Sequence, residues 1–60
     1  RRSVYVSRDI KSGELFSEDN LQIVRPGHGM PPLYMEKIVG LKARKNYNRG
    51  QPLSLRDLIE

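Results

Sequence analysis

The chain has 60 residues, 11 Lys and Arg against 7 Asp and Glu for a net charge of +4, and no cysteine. A chain this short buries only about 60% of its unfolded surface, which limits it to one small domain with a thin core. No disulfide framework is possible, no apolar run approaches the roughly 18 residues of a membrane span, and no signal-peptide pattern is present.

Ser3-Val4-Tyr5-Val6-Ser7 alternates and is rich in β-branched residues, which predicts a strand with Val4 and Val6 inward. Asp9 to Gly13 reads as a turn, with Gly13 where positive φ is needed, and Leu15-Phe16 as a very short extended piece. Ser17 to Leu21 predicts one helical turn, capped by Ser17 with acids where the helix dipole favours them. Gln22 to Arg25 then runs extended into the most distinctive stretch of the chain.

That stretch, Arg25-Pro26-Gly27-His28-Gly29-Met30-Pro31-Pro32, holds three of the four prolines, two of the five glycines and the only histidine. Proline fixes its own φ and restricts the residue before it, and Gly27 and Gly29 permit positive φ. The loop is therefore bent in a defined way. Arg25 stands at its entrance with a planar guanidinium suited to a carbonyl or carboxylate. Pro32 suits the first position of a helix over Leu33 to Val39, which Gly40 stops. Met35, Ile38 and Val39 share one face of it, the face of a core stripe. Leu41 to Arg44 alternates again as a strand, with Leu41 and Ala43 inward.

The remainder repeats what came before. Gly13 matches Gly50, Ser17 matches Ser54, Leu21 matches Leu58, Ile10 faces Tyr47 and Phe16 faces Leu53. Each half is a strand, a tight glycine turn, a short apolar pair and a serine-capped turn. Asp57 stands three residues after Ser54, a capping-box arrangement. Two copies are too few for a solenoid, so the expectation is a pseudo-twofold of short strands around one core.

Cations at Arg1, Arg2, Arg8, Lys11, Arg25, Lys37, Lys42 and Lys45 are interleaved with acids, and no nucleic-acid motif or aromatic stacking ladder accompanies them. A solvated surface is the reading, with no nucleic acid and no membrane as partner. His28 lacks metal-ligand companions and a nearby nucleophile, so it reads as solvent-facing or structural, with an edge contact to a ligand as the alternative. Glu18-Asp19-Asn20 reads as helix-start chemistry, not an acid/base pair. Tyr5 and Tyr34 offer rings for packing against a neighbouring domain. Arg25 is either an exposed loop arginine or a ligand contact.

Taken in order, Asp9-Ile10-Lys11-x-Gly13-Glu14, Ser17-Glu18-Asp19-Asn20-Leu21, Arg25-Pro26-Gly27-x-Gly29, Pro31-Pro32-x-Tyr34, Val39-Gly40-Leu41-Lys42-Ala43 and Arg49-Gly50-x-Pro52-Leu53-Ser54 resemble the SAF, or antifreeze-like, domain. More narrowly they are similar to the C-terminal domain of bacterial N-acetylneuraminate (sialic acid) synthases and their pseudaminate and legionaminate relatives. The resemblance covers Ser3 to Glu60, and Arg25-Pro26-Gly27-x-Gly29 is its most specific part.

It implies a mostly β fold with short helical turns, the β-clip pretzel of type III antifreeze proteins. It also implies that residues 1–60 are one SAF domain excised from a longer cytoplasmic enzyme, a reading to which the abrupt Arg1-Arg2 opening also points. In that enzyme an upstream (β/α)8 barrel, with a divalent metal (Mn or Mg), condenses phosphoenolpyruvate with an N-acyl mannosamine-type sugar. The domain swaps across a homodimer to cover the partner's active site. Arg25 then reaches the sugar's N-acyl group, His28 is a second candidate contact, and Pro26, Gly27, Gly29, Pro31 and Pro32 set the loop geometry. Gly13 and Gly50 serve the repeat turns. The implied domain holds no catalytic residue, metal ligand or cofactor of its own. Rival expectations are an SAF domain of another parent, such as a flagellar or pilus assembly protein or a sugar-acid dehydratase, an ice-binding protein, or a generic interaction module. Glu18, Asp19 and Asn20 stand where ice binding needs apolar side chains.

Overall fold

The alternation in the first residues produces β1 (Ser3–Val6), with Val4 and Val6 fully buried. It pairs antiparallel with β2 (Leu21–Val24), Ser3 opposite Val24 and Val6 opposite Leu21. The structure is a computed structural model and describes residues 1–59. After the central loop come a 3-10 turn over Pro32–Tyr34, α1 (Met35–Ile38) and, near the end, α2 (Arg56–Ile59).

Beyond the sheet, the two halves of the sequence bond each other in matched pairs, at the constant offset that separates Gly13 from Gly50. Ile10 and Tyr47 exchange backbone hydrogen bonds of 2.9 and 2.8 Å. The Gly13 N–H donates to Ala43 and the Gly50 N–H to Val6, both at 2.8 Å. Conversely, Ala43 donates to Glu14 (2.7 Å) and Val6 to Gln51 (2.9 Å). Phe16 donates to Leu41 and Leu53 to Val4 in the same way. Isolated antiparallel bridges Tyr5–Pro52 and Leu15–Lys42 obey the same correspondence. Side chains repeat it as well: Asp9 accepts from the Arg49 N–H and Asn46 from the Ser12 N–H, each at 2.8 Å. Gly13 and Gly50 take φ of +96° and +88°, a region in which an L side chain is strained.

The core lies between the halves. Val4, Val6, Ile10, Phe16, Leu21, Met30, Ile38, Ala43, Tyr47 and Leu53 form one buried cluster. Phe16 and Tyr47 meet edge to face, ring centroids 5.4 Å apart at 66°, a geometry that contributes about 0.5–1.5 kcal/mol beyond burial. Tyr34, Met35, Val39 and Leu58 pack against the cluster from outside.

Three expectations need correction. The segment from Leu33 to Val39 is not one helix: Pro31 and Pro32 lack N–H groups, the chain tightens into a 3-10 turn, and only one α turn follows. Pro32 does take the first helical position, and Gly40, at φ +97°, follows the last turn as expected. Leu41 to Arg44 makes a single bridge at Lys42 and no strand; Ala43 is buried but Leu41 is 41% exposed. Its matched residue, Val4, is covered by the loop that carries Met30, and nothing among the described residues covers Leu41 in the same way. Finally, Ser17 to Asn20 forms a hydrogen-bonded turn, and Leu21 already belongs to β2. The cap itself is present, the Ser17 hydroxyl accepting the Asp19 N–H at 3.2 Å.

Candidate functional site: a loop pinned from beneath

The loop from Arg25 to Pro32 is held by backbone and by one serine. The Gly27 N–H donates to the Arg1 carbonyl at 2.7 Å. The Ser3 hydroxyl accepts the Gly29 N–H at 3.1 Å and donates to the Gly29 carbonyl at 3.2 Å. One residue on, the Met30 N–H donates to Leu53 (2.7 Å), its carbonyl accepts from Val4 (2.8 Å), and its side chain is fully buried. The loop is thus stitched to β1 and to the second half at consecutive residues.

Both glycines are needed here for closeness, not for positive φ. Neither Gly27 nor Gly29 uses the positive φ that glycine permits. A Cβ on Gly27 would overlap the Ser3 side chain, and one on Gly29 would overlap the Leu53 carbonyl. Between and before these anchored points, Arg25, Pro26 and His28 are exposed. The Arg25–Pro26 peptide is cis. Pro31 and Pro32 are half-buried and lead into the 3-10 turn. The sequence-predicted residues therefore separate into two groups: Arg25 and His28 project outward, while Gly27, Gly29 and the prolines shape what holds them. Gly13 and Gly50 belong to the scaffold turns.

A fixed loop presenting a guanidinium is suited to a planar or oxygen-rich acceptor, because five N–H donors sit in a rigid fork. Holding the backbone in place beforehand reduces the ordering cost of binding. Among the described residues no group of three His, Asp or Glu side chains is arranged to hold a metal ion. Tyr5 and Tyr34 are both half-buried, Tyr34 being packed on the core. Glu18 and Asp19 are exposed, so the face they occupy is charged.

Reading the sequence missed Ser3, Met30 and Asn20. Alternation puts Ser3 outward, yet it is fully buried because the loop covers that face. Asn20 accepts the Ser17 N–H at 2.9 Å and donates to the Leu15 carbonyl at 3.1 Å. Its repeat mate Asp57 does the equivalent, accepting the Ser54 N–H at 2.7 Å, so the internal repeat already carried that signal. Asp57 also accepts from the Tyr47 hydroxyl at 2.5 Å. Burial, then the Asp57 hydrogen bond and charge, hold the Tyr47 phenol protonated well above the range of a free tyrosine.

With this architecture, residues 1–59 match the family model of the SAF domain, and the chain belongs to that family. Among curated relatives it is similar to pseudaminic acid synthase of Campylobacter jejuni, 45% identical over 93% of this chain and 16% of the relative. It is 39% identical to pseudaminic acid synthase of Helicobacter pylori, over 95% of this chain and 17% of that protein. It is also 41% identical to the N,N'-diacetyllegionaminic acid synthase of Campylobacter jejuni, over 85% of the chain and 15% of the relative. The chain thus spans about a sixth of the synthases it matches. No helix among the described residues is long and apolar enough to cross a membrane.

Proposed function

We propose that the chain is the substrate-contacting lid of a sialic-acid-type synthase, an enzyme that condenses phosphoenolpyruvate with N-acetylmannosamine or a related N-acyl sugar. In this reading the catalytic barrel and its divalent metal belong to the rest of a cytoplasmic enzyme, and the domain, a β-clip, closes the partner subunit's site in a domain-swapped dimer. Arg25 carries the specificity: its guanidinium donates to the carbonyl oxygen of the sugar's N-acyl group, with His28 at the edge of the site.

The observation that carries the proposal is the loop's construction. An exposed arginine stands on a backbone pinned at Gly27, Gly29 and Met30, in a chain whose relatives are named as pseudaminic and legionaminic acid synthases. Loops held so firmly position a group; they do not merely connect elements. A lid excludes water, strengthens the polar contacts beneath it and commits the substrate. A charge-assisted hydrogen bond to a desolvated carbonyl is worth about 1.5–3 kcal/mol. That corresponds to roughly tenfold to a hundredfold in discrimination for the acylated sugar. No step of the chemistry itself is assigned to this chain.

The test is steady-state kinetics of the full-length enzyme with Arg25→Ala, on a panel of N-acyl sugars beginning with N-acetylmannosamine. The expected result is a loss of about tenfold or more in kcat/KM for the sugar, with the KM for phosphoenolpyruvate little changed. Unchanged sugar kinetics in a folded dimer would overturn the lid reading and leave Arg25 an ordinary surface arginine.

A further inference from the structure

A cleft of about 340 Å³ is lined by Arg44, Lys45, Tyr47, Ser54, Arg56 and Asp57, and includes no residue of the Arg25–Pro32 loop. The Asp57 carboxylate on its wall is already committed: one oxygen accepts from Tyr47, the other from the Ser54 N–H and hydroxyl. Three of roughly four acceptor positions are thereby occupied. Among the described residues none of the three cations donates to a carboxylate, and Lys45 lies over the Tyr47 ring, 5.4 Å from its centroid. The lining carries three positive charges against one negative.

The internal repeat shows that the fold does not require this charge. The matched positions in the first half are Ser7 for Arg44, Arg8 for Lys45, Ser17 for Ser54, Asp19 for Arg56 and Asn20 for Asp57. The backbone bonds of the turn, and those from the serine N–H to Asn20 and to Asp57, are the same on both sides. One copy of the scaffold therefore balances a single cation with an acid, while the other concentrates three cations around a floor of phenol and hydroxyl.

We infer that this cleft binds a small multivalent oxyanion, a phosphate- or polycarboxylate-bearing metabolite. Its volume is that of a small-molecule site, not of a protein face. Arg44 and Arg56 supply planar forks that match phosphate or carboxylate, Lys45 supplies a point charge, and the Ser54 hydroxyl adds a neutral contact. The site is separate from the proposed sugar contact at Arg25 and stands whether or not the lid reading holds.

The test is titration of the 60-residue chain with inorganic pyrophosphate and with citrate at low ionic strength, followed by backbone amide shifts. The expected result is saturation with a Kd of about 1 mM or tighter, with the shifts confined to Arg44–Tyr47 and Ser54–Asp57. The double variant Arg44→Gln/Arg56→Gln, whose amide dispersion reports that it remains folded, should bind at least about tenfold more weakly. Arg8→Gln, at the matched position of the other half, should bind as the parent does. Non-saturating shifts, shifts spread equally over Arg1, Arg2 and Arg8, or full binding by the double variant would overturn the site. Tighter binding of hexaglutamate than of pyrophosphate would overturn the small-molecule assignment in favour of an acidic protein segment.

Discussion

Ile10 and Tyr47 occupy matched positions and bond each other through their backbones, yet one is a plain hydrocarbon and the other a phenol tied to a carboxylate. The same contrast runs through both halves. Turns and strand-to-turn hydrogen bonds are duplicated, so they record what the backbone needs. What is not duplicated records something else. The first half receives the loop, which buries Ser3 and Val4; the second carries the buried hydroxyl and the concentration of cations. Comparing the halves separates the demands of folding from the rest without reference to any other protein.

Substitutions at matched positions sharpen the comparison. The largest difference is expected between Val4→Ala and Leu41→Ala. Val4 is fully buried beneath the loop and should lose roughly 2 kcal/mol. Leu41, less enclosed, should lose less than about 1 kcal/mol despite the larger truncation. Denaturant unfolding of the two variants measures this, and equal losses would show that the loop does not distinguish the halves.

Next comes Tyr47→Phe, which removes the hydroxyl from Asp57 and should cost about 1–2 kcal/mol at neutral pH. Because the phenol is held protonated in the folded chain, this contribution is present in full below the unfolded tyrosine pKa of about 10. It declines as pH rises toward the higher folded value. The difference in stability between parent and variant should therefore shrink above about pH 10, read as converging thermal midpoints. A constant gap would mean that the Tyr47 hydroxyl is not coupled to Asp57. The smallest effect belongs to Gly13→Ala and Gly50→Ala. Open space surrounds both, so only the left-handed backbone opposes a methyl group, at about 1 kcal/mol each. Unequal costs would break the symmetry inferred for the two turns.

Much of the scaffold was legible in the sequence because local chemistry determines it. The glycine turns, the Ser17 cap, the inward valines and the pairing of Ile10 with Tyr47 all follow from residue type and repeat, while of the capping box at Ser54 only the Asp57 arm forms. Failures came where a distant segment intervenes. Ser3 is buried by a loop more than twenty residues away, and Leu41 is left open because no such loop reaches it. For Gly27 and Gly29 the sequence shows only the φ that glycine permits, since crowding by Ser3 and Leu53 is invisible in a sequence window. Arg25 and His28 are exposed, an outcome the sequence left open for both. The Tyr47–Asp57 bond needed the repeat to be read as a three-dimensional correspondence, with Asp57 in the place of Asn20. The basic cleft was missed because Arg44 and Lys45 are brought beside Arg56 only by the fold.

The crossed bonding of the halves has a kinetic consequence. Each glycine turn finds its acceptor in the opposite half: Gly13 on Ala43 and Gly50 on Val6. Apart from the β1–β2 pair inside the first half, neither half completes its hydrogen bonds without the other. The bonds between the halves reward the interior only after long loops have closed, a topology that slows folding relative to helical chains of equal length. It also denies the native state a halfway house. Opening the interlock breaks bonds in both halves at once, so the arginine loop, bonded to Leu53, and the basic cleft, built around Ser54, are carried on one bonded body.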